Sequence, residues 1–163
     1  MRVLCFYGNL KSFEINATNL RIYQNFRKSK QNISTSKRII MIQVGIIGGA
    51  GYTAGELIRL LVSHQKANIN FVFSTSNAGN KIAEVHQDLV GSTEMKFTDR
   101  VNPKIDVLFL CLGHGNSKKF LENNTFSETT KIIDLGNDFR LEKDKIFEEK
   151  QFVYGLPELQ KEV

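Results

Sequence analysis

The stretch VGIIGGAGYTAGEL, residues 44–57, decides the fold, because it joins an apolar run to a helical pattern through a loop that carries almost no side chains. The apolar run ends at Gly48, and Leu57, Leu60 and Leu61 then recur at helical spacing, which predicts a strand, a tight turn and a helix. The first amides of such a helix have no intrahelical partner and carry the positive end of the helix dipole. The stretch therefore predicts a loop that binds the pyrophosphate of a dinucleotide.

Two glycine registers fit this loop. Gly48, Gly51 and Ala54 form the pattern G-x-x-G-x-x-A, whereas Gly49, Gly51 and Ala54 form G-x-G-x-x-A. Both registers place the cofactor on the same helix, and the alternative is a glycine-rich turn without a ligand. We expect the cofactor contacts to come from the turn and the start of the helix: Gly48, Gly49, Ala50, Gly51, Tyr52, Thr53 and Ala54.

The second apolar run, residues 69–73, is followed by hydroxyl and amide side chains where an NAD-dependent enzyme would carry a carboxylate for the ribose. We expect Ser74, Thr75 and Ser76 to contact the cofactor, with Lys81 close behind them. Such a loop tolerates a 2′-phosphate that a carboxylate would repel. The sequence therefore favours NADP over NAD, the alternative being an ordinary polar loop after a strand.

The remainder of residues 41–163 alternates between apolar runs and helical patterns. We predict strands at 43–47, 70–73, 106–112, 131–135 and 152–154, and helices at 54–63 and 117–122. This alternation predicts an α/β protein built on a Rossmann-type, doubly wound parallel sheet. Residues 141–151 are charged and are predicted to form a solvated helix or loop.

His114 and Arg140 stand out among the polar residues, because each follows an apolar run at the sheet edge where ligands gather in open α/β sheets. The alternative for His114 is a loop histidine bonded to the backbone, and the alternative for Arg140 is an ion pair with Asp138 or Asp134. His86 is expected to be structural rather than chemical. No metal site is predicted.

The basic charge of the chain is confined to its first quarter. Residues 1–40 hold eight of the 22 Lys and Arg residues and one of the 17 Asp and Glu residues, so the remainder is slightly acidic. We therefore expect residues 41–163 to form the NADP-binding domain and to have no nucleic-acid partner. Residues 1–40 are predicted to be a basic leader, disordered or translated from a misassigned start, with an organellar transit peptide or a nucleic-acid-binding arm as alternatives.

Cysteine usage and hydropathy indicate a cytoplasmic protein. Cys5 and Cys111 give no disulfide framework, and Cys111 lies in a continuous apolar run typical of a buried strand. We expect no membrane partner, because no apolar run approaches the ~18 residues that a bilayer-spanning helix needs.

These motifs resemble those of N-acetyl-gamma-glutamyl-phosphate reductase, a family of NADP-dependent enzymes of arginine biosynthesis. The resemblance extends from Met41 to about Glu158, and rests on residues 48–57, STSNAGN at 74–80, VH at 85–86, LGHGNS at 112–117, DLGNDFR at 134–140 and YGLPE at 154–158. Two residues depart from the family pattern. Thr75 replaces an arginine that would grip the 2′-phosphate, and Gly113 replaces a proline.

The resemblance implies reduction of N-acetyl-glutamyl 5-phosphate to the 5-semialdehyde through a thioester on a cysteine. In the family this cysteine follows the YGLPE segment, so we expect it beyond Val163 in a second, catalytic domain, and we assign no catalytic residue here. The resemblance also implies Leu112 and Gly113 near the nicotinamide, His114 near the cofactor and Arg140 near the acyl phosphate or the substrate carboxylate. We assign both His114 and Arg140 to substrate binding and expect a homo-oligomeric enzyme. A reductase of aminoadipyl or aspartyl phosphates and a non-catalytic NADP-binding module are the alternatives.

Overall fold

The strands of the protein form one sheet in the computed structural model, which describes residues 4–7 and 41–155. In the described part of the chain they are β1 (Leu4–Tyr7), β2 (Ile42–Ile47), β3 (Ala67–Phe73), β4 (Val107–Leu110), β5 (Lys131–Asp134), β6 (Ile146–Phe147) and β7 (Lys150–Gly155). Their spatial order is β3-β2-β4-β5-β1-β7-β6.

The strands β3, β2, β4 and β5 are parallel to one another. Val44, Ile46 and Ile47 of β2 are all buried, as expected of a strand that is covered on both faces. The chain passes from β2 to β3 on one side and later from β4 to β5 on the other, so the strand order reverses at β2. Ligands of open α/β sheets bind at such a switch point, outside the carboxyl ends of the strands.

Helices cover both faces of this parallel half. They are α1 (Tyr52–Val62), the single turn α2 (Ile82–Val85) and α3 (Asn116–Asn123). The first core cluster joins Ala54, Ile58 and Leu61 of α1 to Val44, Ile46 and Val72 of the sheet. The second joins Leu121 of α3 to Leu108, Leu110 and Ile132. Burying each Ile or Leu side chain stabilises the fold by about 1.5–3 kcal/mol. The predicted doubly wound α/β fold is confirmed.

The leader contributes a strand that the sequence does not predict. Strand β1 lies between β5 and β7 and runs antiparallel to both, with Cys5 opposite Asp134 on one side and Tyr154 on the other. The expectation that the leader lacks regular structure is therefore wrong for Leu4–Tyr7. Residues 8–40 lie outside the described part of the chain, and the assignment of residues 1–40 as a separate leader stays a prediction.

An aromatic cluster fixes the segment that was predicted to be a solvated helix or loop. Most of its charged residues are exposed, but Ile146 and Phe147 pair with Gln151 and Lys150 as a short antiparallel hairpin. The buried ring of Phe147 meets Phe139 edge to face at 6.1 Å. Phe139 in turn stacks on Phe152 at 3.9 Å. The many charged residues of the segment predict a solvated helix or loop and give no sign of this buried ring. The prediction for residues 141–151 was therefore incomplete at β6.

Two carboxylates hold the loops after β4 and β5 together. Asp138 accepts hydrogen bonds from the amides of Gly115 (2.6 Å), Ser117 (2.9 Å) and Lys118 (3.2 Å), and thereby caps the N-terminus of α3. The Ser117 hydroxyl donates to Asp134 Oδ1 at 2.8 Å, and the Gly136 amide donates to the same oxygen at 3.1 Å. The two loops that carry His114 and Arg140 therefore have a fixed relative position.

Asp134 is the more deeply buried of the two carboxylates. Its exposed fraction is 0%, and its Oδ2 atom is buried without a hydrogen bond of normal geometry. Burial raises the pKa of this carboxyl, and the hydrogen bond from Ser117 opposes the shift. Because the pKa of Asp134 is higher in the folded state than in the unfolded state, Asp134 contributes fully to stability at pH values below its unfolded-state pKa. This contribution is lost as the pH rises through its folded-state pKa.

We expect Asp134→Asn to become more stable relative to the wild-type chain as pH rises from about 4 to about 8, because the amide keeps the acceptor for Ser117 and does not ionise. Urea unfolding at a series of pH values measures the difference in unfolding free energy. Asp144→Asn, which removes an exposed carboxylate, is the control. A difference for Asp134→Asn that does not change with pH would contradict the raised pKa.

We expect a chain that begins at Gly8 to melt at a lower temperature than the full chain. Without β1, the β7 strand loses the backbone hydrogen bonds that attach it to the rest of the sheet. Circular dichroism on the two chains compares their thermal midpoints. Equal midpoints would show that residues 1–7 pack against nothing, as the sequence alone suggests.

Candidate functional site

The turn after β2 is built around Gly48. This residue has a φ of 78°, a conformation that side chains disfavour, and the Gly51 amide donates to its carbonyl at 3.1 Å. A Cβ at Gly48 would lie 2.6 Å from the carbonyl oxygen of Cys111, which follows β4. The fold itself therefore requires glycine at position 48, where the loops after β2 and β4 touch.

Gly49 is also required by the fold, but for a different reason. A Cβ there would lie 2.3 Å from Cγ1 of Val72, and the Gly49 amide donates to the carbonyl of Phe73 at 2.9 Å. Gly49 thus packs directly on β3. The role of turn glycine belongs to Gly48, which favours the register formed by Gly48, Gly51 and Ala54.

Gly51 differs from both neighbours. Its φ of −78° and ψ of 155° suit any residue, and the nearest protein atom to an added Cβ would be the Gly48 carbonyl oxygen at an ordinary 3.4 Å. The fold does not require glycine here. When the fold would accept a side chain at the start of a helix, a glycine there indicates close approach by a ligand.

The amides around Gly51 are available to an anion. Within residues 4–7 and 41–155, no acceptor binds the backbone amides of Ala50, Tyr52 or Thr53. The Tyr52 side chain is 96% exposed, whereas Ala54 is buried under the helix as the small residue of the pattern. The predicted residues are therefore brought together, with Ala54 on the core side and the amides on the ligand side.

The loop after β3 presents hydroxyl groups next to this turn. Asn77 Nδ2 donates to Ser76 Oγ at 3.0 Å and more weakly to Ser74 Oγ at 3.3 Å. Ser74 is buried, whereas Thr75 and Ser76 are exposed at the carboxyl end of β3. The hydroxyls exposed to a ligand are thus those of Thr75 and Ser76, whereas the buried Ser74 hydroxyl lies 3.4 Å from that of Ser76.

Lys81 does not contribute an unpaired positive charge to this loop. Its Nζ atom lies 2.7 Å from Glu94 Oε2. This pairing raises the pKa of Lys81 and lowers the pKa of Glu94. In this loop, selectivity for a 2′-phosphate would therefore depend on hydrogen bonds from uncharged donors.

The loop after β4 places Leu112 and Gly113 beside the glycine turn. Leu112 is half-buried, and its Cδ2 atom would lie 3.1 Å from a Cβ at Gly48. Strand β4 ends at Leu110, so Cys111 follows the strand instead of lying within it. Cys111 is half-buried and packs against the core under α1, which makes it a partial core residue.

His114 and Arg140 are both exposed at this edge of the sheet. The Asn137 amide group approaches His114 Nε2 at 3.5 Å, and the Arg140 guanidinium lies 5.8 Å from the centre of the Tyr154 ring. Among the described residues no carboxylate pairs with Arg140. The alternative of an ion pair with Asp138 or Asp134 is therefore wrong, because those carboxylates bind the amides and hydroxyl of α3 and its flanking loops.

His86 is a residue of the site that the sequence places only as structural. It is 8% exposed, and its Nε2 atom lies 2.7 Å from the carbonyl oxygen of Gly49. Its Nδ1 atom faces α1, where a Cβ at Gly55 would lie 2.6 Å away. The contact joins residues 37 apart in sequence, and no local pattern could have revealed it.

In residues 4–7 and 41–155, none of the helices is both long enough and apolar enough to cross a lipid bilayer. No three His, Cys, Asp or Glu side chains of this part of the chain lie together as metal ligands would.

The chain is similar to bacterial proteins named N-acetyl-gamma-glutamyl-phosphate reductase. It is 64% identical over 121 residues to that of Flavobacterium johnsoniae, covering 74% of this chain and 37% of the relative. It is 58% identical over 122 residues to that of Christiangramia forsetii, covering 75% of this chain and 37% of the relative. The chain therefore spans little more than a third of the length of these curated relatives.

A solved structure of aspartate semialdehyde dehydrogenase with NADP from Candida albicans matches 51% of this chain and 26% of that chain, with 19% identity and a TM-score of 0.43. A family model matches a larger part of the chain. Residues 43–163 fit the model described as semialdehyde dehydrogenase, NAD binding domain. With most of its length matched, the chain belongs to the semialdehyde dehydrogenase family and carries that family's NAD-binding domain.

Proposed function

We propose that this chain is the NADP-binding part of an enzyme that reduces N-acetyl-glutamyl 5-phosphate to N-acetyl-glutamate 5-semialdehyde in arginine biosynthesis. The observation that carries the proposal is Gly51, a glycine that the fold does not need, next to amides that bind no acceptor among the residues that the structure describes. The extensive identity with the reductases of Flavobacterium johnsoniae and Christiangramia forsetii supports the choice of reaction.

Different residues at the carboxyl edge of the sheet bind different parts of the cofactor. The amides of Ala50, Tyr52 and Thr53 hold the pyrophosphate at the N-terminus of α1. The exposed hydroxyls of Thr75 and Ser76 face the adenosine ribose and its 2′-phosphate, and the Leu112–Gly113 turn borders the nicotinamide. When bound, the cofactor supplies a hydride, while the chain holds and orients it.

Arg140 and His114 are the proposed contacts to the acyl phosphate. The Tyr154 ring lies beside the Arg140 guanidinium, so a cation–π contact orients its planar fork without neutralising it. Such a fork binds a phosphate or carboxylate through two parallel hydrogen bonds. His114 is exposed on the neighbouring loop, which Asp138 ties to the loop of Arg140.

The remaining properties of the whole enzyme are proposals of the same kind. We place it in the cytoplasm and expect a homo-oligomer, without a nucleic-acid partner, because the basic residues are concentrated in the leader. The nucleophilic cysteine would come from the part of the enzyme that this chain does not match, since the chain spans 37% of the Flavobacterium johnsoniae reductase.

We expect the chain to bind NADPH about 5- to 150-fold more tightly than NADH, because hydrogen bonds from the uncharged donors Thr75 and Ser76 contribute about 0.5–1.5 kcal/mol each, or about 1–3 kcal/mol together. Gly51→Val is expected to weaken NADPH binding by about 100-fold or more, because the branched side chain would occupy the place of the pyrophosphate. Quenching or enhancement of cofactor fluorescence measures both affinities.

The controls separate ligand binding from folding. Gly51→Val should stay folded and lose only the small stability of a poorer helix N-cap, since its backbone angles suit a β-branched residue. Gly49→Val should instead unfold the domain, because its Cβ would overlap Val72. Equal affinity for NADPH and NADH would contradict the expected preference for NADP. Unchanged NADPH binding by Gly51→Val would show that the pyrophosphate binds elsewhere.

We expect the purified chain to have no reductase activity, because we expect the thiolate that captures the acyl group to come from the part of the enzyme that this chain does not match. Cys111 is a poor substitute, since it is half-buried and packs against the apolar core under α1. The assay is phosphate-dependent reduction of NADP with the semialdehyde as substrate. Turnover that disappears in Cys111→Ser would identify Cys111 as the nucleophile and contradict this account.

A further inference from the structure

His86 controls the direction of one peptide group in the glycine turn. Its Nε2 atom lies 2.7 Å from the Gly49 carbonyl oxygen in a buried environment. A carbonyl oxygen can only accept, so Nε2 carries the proton and donates it. The Gly49 carbonyl is thereby turned toward His86 and into the protein.

The opposite end of the same peptide group is the Ala50 amide. The described peptide bonds are all trans, and in a planar trans peptide the N–H points away from the preceding C=O. With the Gly49 carbonyl held inward by His86, the Ala50 N–H must point away from His86. That amide donates to no acceptor among the described residues, so it is available at the mouth of the turn.

The His86 ring is itself held in position from two sides. Its Nδ1 atom lies against α1 at Gly55, where a Cβ would come within 2.6 Å and displace the ring. The ring of Phe97 also lies near His86, with 6.3 Å between the two ring centres. A glycine inside a helix costs stability, about 1 kcal/mol relative to alanine. At Gly55 the space is used to seat His86.

We propose that His86 is a positioning residue for cofactor binding. It fixes the Gly49–Ala50 peptide so that an N–H donor, and not a carbonyl oxygen, faces the pyrophosphate. Gly55 acts through His86 by making room for its ring. The inference rests on the proposed dinucleotide function, because the ligand that benefits is the pyrophosphate of the cofactor.

The test compares two ligands on the full chain. NADPH contains the pyrophosphate, whereas adenosine 2′-monophosphate keeps the adenosine and the 2′-phosphate but lacks the pyrophosphate. We expect His86→Phe, which keeps a ring but loses the donor, to weaken NADPH binding by about tenfold or more. Its affinity for adenosine 2′-monophosphate, followed by NMR titration, should change less than about twofold. A residue that merely stabilised the fold would weaken both ligands together.

Three further variants sharpen the comparison. His86→Gln, which can still donate to the Gly49 carbonyl, should recover most of the NADPH affinity. Gly55→Ala should weaken NADPH binding in the wild-type background but add little in a His86→Ala background, where no ring is left to displace. His64→Gln, a histidine at the far end of α1, is the matched control and should bind NADPH as the wild-type chain does.

A second readout does not depend on the ligand. The ¹⁵N chemical shifts of the His86 ring should show the tautomer protonated at Nε2, and a ring protonated only at Nδ1 would overturn the inference. Equal NADPH affinity in the wild-type chain and His86→Phe would overturn it as well, while leaving the proposed function intact. A wild-type chain that binds no NADPH would overturn the proposed function and this inference with it.

Discussion

The candidate site depends on the closeness of two backbones, that of Gly48 after β2 and that of Cys111 after β4. No side chain fits between them, since a Cβ at Gly48 would lie 2.6 Å from the Cys111 carbonyl oxygen. The two loops therefore diverge from one point at the switch in strand order, and α1 begins directly beside it. A bulkier turn would separate the loops, and the amides of α1 would no longer face the edge where Leu112 and His114 lie.

Electrostatics then distinguishes the two helix N-termini at this edge. The first amides of α3 are taken by the Asp138 carboxylate, which accepts three hydrogen bonds from them and their flanking residue. The first amides of α1 bind no acceptor in the described part of the chain. An incoming anion is therefore directed to α1, because at α3 it would meet a negative charge that is already hydrogen-bonded. Asp138 also orders the loop of His114, because it accepts a hydrogen bond from the adjacent Gly115 amide.

Local patterns in the sequence were sufficient for the parallel half of the fold. The apolar runs and the helical spacing of leucines predict β2, β3, β4, β5, α1 and α3 to within a few residues, because each depends on neighbours in sequence. Contacts between distant segments could not be found this way. The pairing of Leu4–Tyr7 with β5 and β7, the cap of α3 by Asp138 and the bond from His86 to Gly49 join residues far apart in the chain. Arg140 shows the same limit, since charge alone suggested a nearby aspartate while the fold gives it the ring of Tyr154.

The glycines of the first loop show that a glycine motif indicates ligand binding only weakly until the reason for glycine at each position is known. Gly48 is needed for a positive φ, Gly49 for contact with Val72, and Gly55 for the ring of His86. All three would be glycine in a protein that used this fold and bound nothing. Gly51 alone among these four has room for a side chain and a backbone conformation that permits one. Among these four glycines, only Gly51 therefore points to a bound ligand, and the other three explain how the loop presents it.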